Sequence, residues 1–329
     1  MKRVVCITEK EYFKAEGIFK SSCEFECMPV GLEEDAISKA VADNKAFGVI
    51  LGVENYSDKL YTVLPKGGII ARFGVGHDGV DKQKATEASL IATNTPGVLD
   101  DSVAEHAIFL IGSLARQIAG HDANMKSKQW QPSLGFELKG RTLLVIGCGN
   151  IGCKVAKIAS MGFGMNVVGY DVCKLDAEQL RQDWGMERIA DDLNKELGAT
   201  DFVSLHIPAI EATRHFVNSS FLSNMKRDAF LINTSRGSIV DENALYDSLV
   251  KENIAGAGLD VFESEPYKPV DPDKDIRSLD NVLLTPHVGS STLQACQRMA
   301  TSCLENVKAA YDKEYDKLDI LNKEVLAKL

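Results

Sequence analysis

The chain has 329 residues, 45% of them apolar and 26% charged, with a formal net charge of −10. That length exceeds one ordinary hydrophobic core, so two domains are expected. The acidic balance, with no Lys/Arg-rich tract, argues against nucleic acid or an anionic membrane as partner, because both need concentrated positive charge.

The opening "MKRVVCITEK" lacks the apolar core of a secretory leader, and "AIFLIGSLA" is too short to span a bilayer, so the cytoplasm is the expected compartment. The cysteines at 6, 23, 27, 148, 153, 173, 296 and 303 form no C-x-x-C knuckle and read as reduced thiols. Cys23 and Cys27 have the spacing of helix neighbours, but without a second pair a metal site is not expected there. No histidines stand at the H-x-x-x-H spacing of a catalytic zinc.

In chain order, the β-rich runs "RVVCIT", "AFGVIL" and "GIIARF" alternate with stretches of helical spacing, which predicts βαβ units and a parallel sheet. From Ser102, "SVAEHAIFLIGSLARQIAGH" repeats apolar residues at three and four, predicting one long, largely buried helix. Beyond a Pro/Gly-containing connector, "TLLVI", "NVVGYD", "DFVSLHIP", "AFLINTS", "GAGLDVF" and "NVLLTPH" predict a second, doubly wound sheet. The helical stretch from Ser290 is expected to return to the first domain. The fold class is therefore α/β, two Rossmann-like doubly wound parallel-sheet domains with the substrate domain discontinuous. Residues 1–100 and 290–329 form that flavodoxin-like substrate domain, and 101–289 form a dinucleotide-binding domain with a dimerisation helix and arm.

"GCGNIG" fits G-x-G-x-x-G, and its setting strengthens the match: a buried strand precedes it, a helix follows, and the next strand ends in Asp171, 19 residues beyond Gly152. Gly147 suits the tight turn, Gly149 lets backbone N–H groups approach a pyrophosphate, and Gly152 lets the helix lie close to the strand. Asp171 would accept hydrogen bonds from the ribose hydroxyls and repel a 2′-phosphate, which favours NAD over NADP. Cys148, inside the turn, reads as a small filler.

Three further residues stand just after predicted strands, at the sheet edge where such folds bind ligands. Arg236 in "NTSRGSIVDENAL" offers a planar fork for a carboxylate and its adjacent carbonyl. His287 in "LLTPHVGSST" can give or take a proton, and Glu265 in "LDVFESEP" is placed to pair with it, favouring the charged imidazole. One cation, one acid–base group and one tuning carboxylate are what hydride exchange on a 2-hydroxy or 2-oxo acid requires besides NAD.

Taken in order, "ARFGVGHDGVD", "NTPGVLDDSVAEHAIFLIGSLAR", "GCGNIG", "SLHIPAIEATRHFVN", "NTSRGSIVDENAL", "GAGLDVFESEP" and "LLTPHVGSS" resemble the signatures of the D-2-hydroxyacid dehydrogenases, over about Phe47 to Ser291. The resemblance implies Arg236, Glu265 and His287 as the catalytic set, with backbone amides at Val75 and Gly76 holding the substrate carboxylate. It extends the NAD contacts to Asn150, Ile151, His206, Pro208, Thr234, Asp260 and Gly289. It also implies a homodimer through the long helix and the arm with Trp130, and a cleft between the domains that closes on the substrate.

Departures narrow the expectation. Many relatives carry arginine where Asn150 stands, and phosphoglycerate-specific relatives have an Arg-Ser pair where Gly52 and Val53 stand, which weighs against a phosphorylated substrate. The regulatory C-terminal extension of some of those enzymes does not follow, and formate dehydrogenases have glutamine in place of Glu265. Two alternatives stay open: an NAD-sensing corepressor-like binding protein, disfavoured by the lack of a tail outside the two domains, and a phosphoglycerate- or phosphonate-type dehydrogenase. His77 reads as pocket-lining or solvent-facing, Glu105 as capping or positioning the active-site edge, and His106 as packed at an interface. His121 and His215 carry no usable pattern.

Overall fold

The computed structural model describes residues 3–329. The chain divides into two compact units, residues up to Leu99 with Ser290–Leu329, and Asp100–Gly289.

The first unit holds five strands, β1 (Arg3–Thr8), β2 (Phe25–Val30), β3 (Gly48–Leu51), β4 (Ile69–Arg72) and β5 (Ile91–Thr93). All pair in parallel, in the order β2-β1-β3-β4-β5. Every residue of β3 and β4 is buried, as a parallel sheet covered on both faces requires. The helix Leu293–Asp312, capped where Thr292 accepts from the Ala295 amide, returns to this unit. The Asn322 side chain beyond it accepts from the Ala92 amide and donates to the Leu90 carbonyl, both at 2.9 Å, fastening the C-terminal segment to β5.

The second unit holds β6 (Thr142–Ile146), β7 (Asn166–Tyr170), β8 (Met186–Ile189), β9 (Phe202–Leu205), β10 (Phe230–Asn233), β11 (Gly256–Leu259) and β12 (Val282–Leu284). Again all are parallel, ordered β12-β11-β10-β9-β6-β7-β8. The order reverses between β9 and β6, so the carboxyl ends of these strands border the crevice where doubly wound sheets take ligands. Separate cores fill the two faces, one centred on Val203, Leu231 and Leu259, the other on Leu143, Val145 and Phe202.

Both sheets agree with the predicted α/β class. The strands missed by hydrophobic patterning are β2, β5 and β8, and all three are sheet edges. An edge strand needs no continuous apolar run, and β2 even tolerates Pro29 because one side of it makes no ladder. Cys23 and Cys27 are not helix neighbours: Cys27 lies in β2 and Cys23 in the loop before it.

The long helix also departs from expectation. It runs over Asp100–Arg116, stops at Gln117 with φ 51°, and a second helix covers Ile118–Lys126 without a buried residue. The cause is the returning arm: the Phe136 amide takes the Ala115 carbonyl at 3.0 Å, and Gln117 binds Ser133 and Leu134. The Phe136 bond takes a backbone carbonyl that a continuing helix would need.

Candidate active site

The glycine turn leaves β6 and enters the helix Asn150–Lys157. Gly147 has φ 96°, and a Cβ there would lie 2.5 Å from the His206 carbonyl oxygen, so the turn is held against the end of β9. A Cβ at Gly152 would lie 2.0 Å from the Gly147 carbonyl, whereas one at Gly149 would meet nothing within 4 Å. Packing within the protein therefore demands the first and third glycines, and the second keeps bare backbone accessible at a helix N-terminus. Asp171 is fixed beside it, accepting from the Cys148 and Cys173 amides, each at 2.8 Å. Cys148 is buried, which pushes its thiol up to about 12 and keeps it protonated.

Two further features border the turn's side of the sheet. Burial pushes the His206 ring down to about 4, so it is neutral, with Nε2 2.8 Å from Ser204 Oγ. Thr234 Oγ1, just past β10, is buried without a hydrogen-bond partner among the described residues. An orphaned hydroxyl, open backbone at Gly149 and a fixed carboxylate at Asp171 together suit a dinucleotide. Asn150 instead bonds Asp100 through its side chain, Ile151 is half-buried, and the Pro208 carbonyl accepts from Thr213 at 2.7 Å.

Arg236, Glu265 and His287 follow β10, β11 and β12, three neighbouring strands. The Arg236 turn is shaped by Asn233, which accepts from the Ser235 amide at 3.0 Å and donates to the Arg236 carbonyl at 2.9 Å. His287 has φ 54°, a conformation rare for a side-chain-bearing residue, held by its amide donating to the Asp260 carbonyl at 2.7 Å. Its Nδ1 lies 2.6 Å from Glu265 Oε2, while Glu265 Oε1 accepts from the Phe262 amide at 3.0 Å. Because the carboxylate accepts, Nδ1 carries the hydrogen, which leaves Nε2 as the ring nitrogen not engaged by Glu265. Burial alone would raise the Glu265 carboxyl. The His287 bond and charge, the Phe262 amide and the Arg236 charge outweigh it and hold the group below the usual carboxylate range.

Asp260, buried, organises the strand end that carries His287. Its Oδ1 accepts from Thr285 Oγ1 at 2.5 Å and the Val288 amide at 2.9 Å, and its Oδ2 from the Gly289 amide at 2.8 Å. His106 Nε2, from the helix Asp100–Arg116, lies 3.3 Å from Asp260 Oδ1 and 2.9 Å from Thr285 Oγ1. Burial opposes ionisation of Asp260, but these partners outweigh it and lower its pKa. On that helix Glu105 is exposed, and it is His106 that reaches Asp260 and Thr285 at the strand end. An i, i+1 pair points to different helix faces, and only knowledge of which face meets β11 and β12 could have chosen between them.

In the first unit, the loop after β4 places Val75 and Gly76 at the carboxyl edge of its sheet. The Val75 carbonyl accepts from Asn94 at 2.7 Å, and Gly74 donates to Thr95 Oγ1 at 3.1 Å. Among the described residues the amides of Val75 and Gly76 meet no protein acceptor. No group of three or more His, Cys, Asp or Glu among the described residues is arranged to hold a metal ion.

Residues 108–289 match the model of the D-isomer specific 2-hydroxyacid dehydrogenase NAD-binding domain, and a glyoxylate reductase from Korarchaeum cryptofilum is 39% identical over 82% of this chain and 80% of its own. The chain belongs to the D-isomer specific 2-hydroxyacid dehydrogenase family. The D-lactate dehydrogenase of Aquifex aeolicus, solved with NAD and lactic acid, superposes with a TM-score of 0.81 at 27% identity, covering 97% of this chain and 99% of that one. An NADPH-dependent glyoxylate/hydroxypyruvate reductase from Sinorhizobium meliloti, solved with NADP and malonate, has a TM-score of 0.80 at 29% identity, covering 94% of each. A family dehydrogenase with a nicotinamide dinucleotide as cofactor is the identity these findings support, and the second unit is its nucleotide-binding domain.

Proposed function

We propose that this dehydrogenase interconverts small 2-oxo acids and D-2-hydroxy acids with NAD, using Arg236, Glu265 and His287. The observation that supports it most is the 2.6 Å contact from Glu265 to His287 Nδ1, made by a histidine held in a left-handed conformation. Orientation of this kind is needed when one ring nitrogen must meet a reacting atom. When bound, the nicotinamide supplies or accepts the hydride. His287 Nε2 gives a proton to the carbonyl oxygen during reduction and removes it from the hydroxyl during oxidation, while the Glu265 carboxylate stabilises the charged ring. The Arg236 guanidinium grips the carboxylate and polarises the carbonyl, and the Val75 and Gly76 amides are further carboxylate donors.

Gly147, Gly149 and Gly152 form the pyrophosphate turn, with Asn150, Ile151, His206, Pro208, Thr234, Asp260 and Gly289 around the nucleotide. Asp171 favours NAD, since a 2′-phosphate would meet its charge. The relatives' names support glyoxylate and hydroxypyruvate as first candidates, and Gly52 with Val53 supports an unphosphorylated substrate.

A homodimer is supported by Phe109, Ile118, Met125, Trp130 and Leu134, all exposed on the helix pair and arm. Eight cysteines, five of them buried, suit a reducing compartment such as the cytoplasm. No helix among the described residues is long and apolar enough to cross a membrane.

The test is NADH and NADPH oxidation with glyoxylate, hydroxypyruvate, pyruvate and bulkier 2-oxo acids, for the parent and Arg236→Ala. Turnover with NADH that Arg236→Ala loses is expected. A silent panel, or a variant as fast as the parent, refutes the reading.

A further inference from the structure

The helix Glu242–Val250 begins behind its cap Asp241, and its first residue is an acid with no part in the chemistry above. The Glu242 side chain is buried, with a relative exposure of 5%. Its Oε1 accepts from the Glu263 amide at 2.6 Å, and its own amide donates to Glu263 Oε1 at 3.1 Å. Two segments are thus joined by a reciprocal pair of bonds. Next to this pair, a Cβ at Gly237 would lie 1.8 Å from the Phe262 carbonyl carbon and 2.4 Å from the Glu263 nitrogen. The backbone leaving Arg236 therefore presses on the backbone leading to Glu265, and the Phe262 amide in that same turn binds Glu265 Oε1.

We propose that Glu242 is a positioning residue for the acid–base pair: its Oε1 holds the Glu263 amide, and so keeps the Phe262–Glu265 turn registered against the segment that bears Arg236. The inference rests on the acid–base reading of Glu265 and His287.

The carboxyl keeps its proton well above the range of an ordinary glutamate. Its Oε2 is enclosed with no hydrogen-bond partner among the described residues, a poor place for a charge. Burial first, then the Glu263 and Glu265 carboxylates, push it up to about 7, against the pull of the Glu263 amide. The groups facing it are spoken for: Glu263 Oε2 pairs with His215 Nε2 at 2.9 Å and lies 3.9 Å from Arg214, Glu265 pairs with His287 and senses Arg236, and Tyr267 senses Glu242. Asp241 is occupied in capping the Ala244 amide.

The test compares Glu242→Gln, Glu242→Asp and Glu242→Ala in the full chain, with NADH and hydroxypyruvate. Glutamine keeps the acceptor at the same reach without the titration; aspartate keeps the acid but withdraws the acceptor by one methylene. Expected is near-parental kcat for Glu242→Gln and a loss of about tenfold to a hundredfold for the other two, the scale of a small misplacement near reacting groups. NADH affinity, to which Glu242 contributes no proposed contact, should stay within about twofold of the parent in folded variants. A protonated-carboxyl band in the infrared pH-difference spectrum should be present in the parent and absent from Glu242→Gln. Should Glu242→Ala not fold, Asp and Gln still decide the matter. Parental turnover by Glu242→Asp, or a Gln variant as slow as the Asp variant, overturns the proposal. Full turnover by His287→Ala would instead overturn the acid–base reading beneath it.

Discussion

The glycine turn and the acid–base pair lie on one sheet yet are specified in opposite ways. The turn is contiguous, six residues whose requirements are steric: Gly147 needs its φ of 96° and Gly152 its absent Cβ. The pair is assembled from loops after two strands, β11 and β12, and its requirement is directional, with one imidazole nitrogen aimed by Glu265 and the other, in the proposed reaction, exchanging the proton. Damage to the turn should therefore appear in binding and stability together, and damage to the pair in turnover alone.

The sharpest contrast comes from His287→Ala, which should lower kcat by roughly 10²- to 10⁴-fold while NADH affinity and the urea midpoint stay near parental values. A matching loss of NADH binding would erase the distinction. Next, Gly152→Val should weaken NADH binding measured by fluorescence titration and cost about 1–3 kcal/mol of stability, because the helix must move off the strand. Asp171→Ala should improve NADPH use relative to NADH by about tenfold or more, with kcat nearly constant, as removal of like-charge repulsion predicts.

Glu242 sharpens the comparison through pH. An unfolded glutamate ionises near its ordinary 4.5, whereas the folded one holds its proton to about 7. The unfolded state is thus the one that releases a proton first, so stability declines as pH rises across that window. The urea midpoint of Glu242→Gln should fall less over the same range, and an equal fall would place the titration elsewhere. The smallest effect belongs to Thr285→Val, which removes one hydroxyl donor to Asp260 and should cost about 1 kcal/mol with a severalfold drop in kcat.

How much was legible follows the same division. Six strands of the second sheet and three of the first could be read from continuous apolar runs, while β2, β5 and β8 could not, since an edge strand has one unpaired side and less to bury. Arg236, Glu265 and His287 could be placed at strand ends by pattern, but nothing in the pattern marks Glu242 or Glu263. Their pairing joins a helix start to a loop 21 residues further on and leaves no periodic trace. The break at Gln117 was hidden because apolar spacing continues past it into Ile118, although Phe136 takes the Ala115 carbonyl.

By itself the amino-acid order determined the alternation of strands and helices, the phosphate-type turn and the acid that closes the second strand, because periodicity and backbone constraint act over a few neighbouring residues. Strand order and helix facing decided the rest: that His106 rather than Glu105 meets Asp260, that His287 is held in a left-handed twist, and that a buried glutamate grips the next loop. Those outcomes depend on which chain segments pack together, and each buried polar group then takes the partner that packing brings within reach.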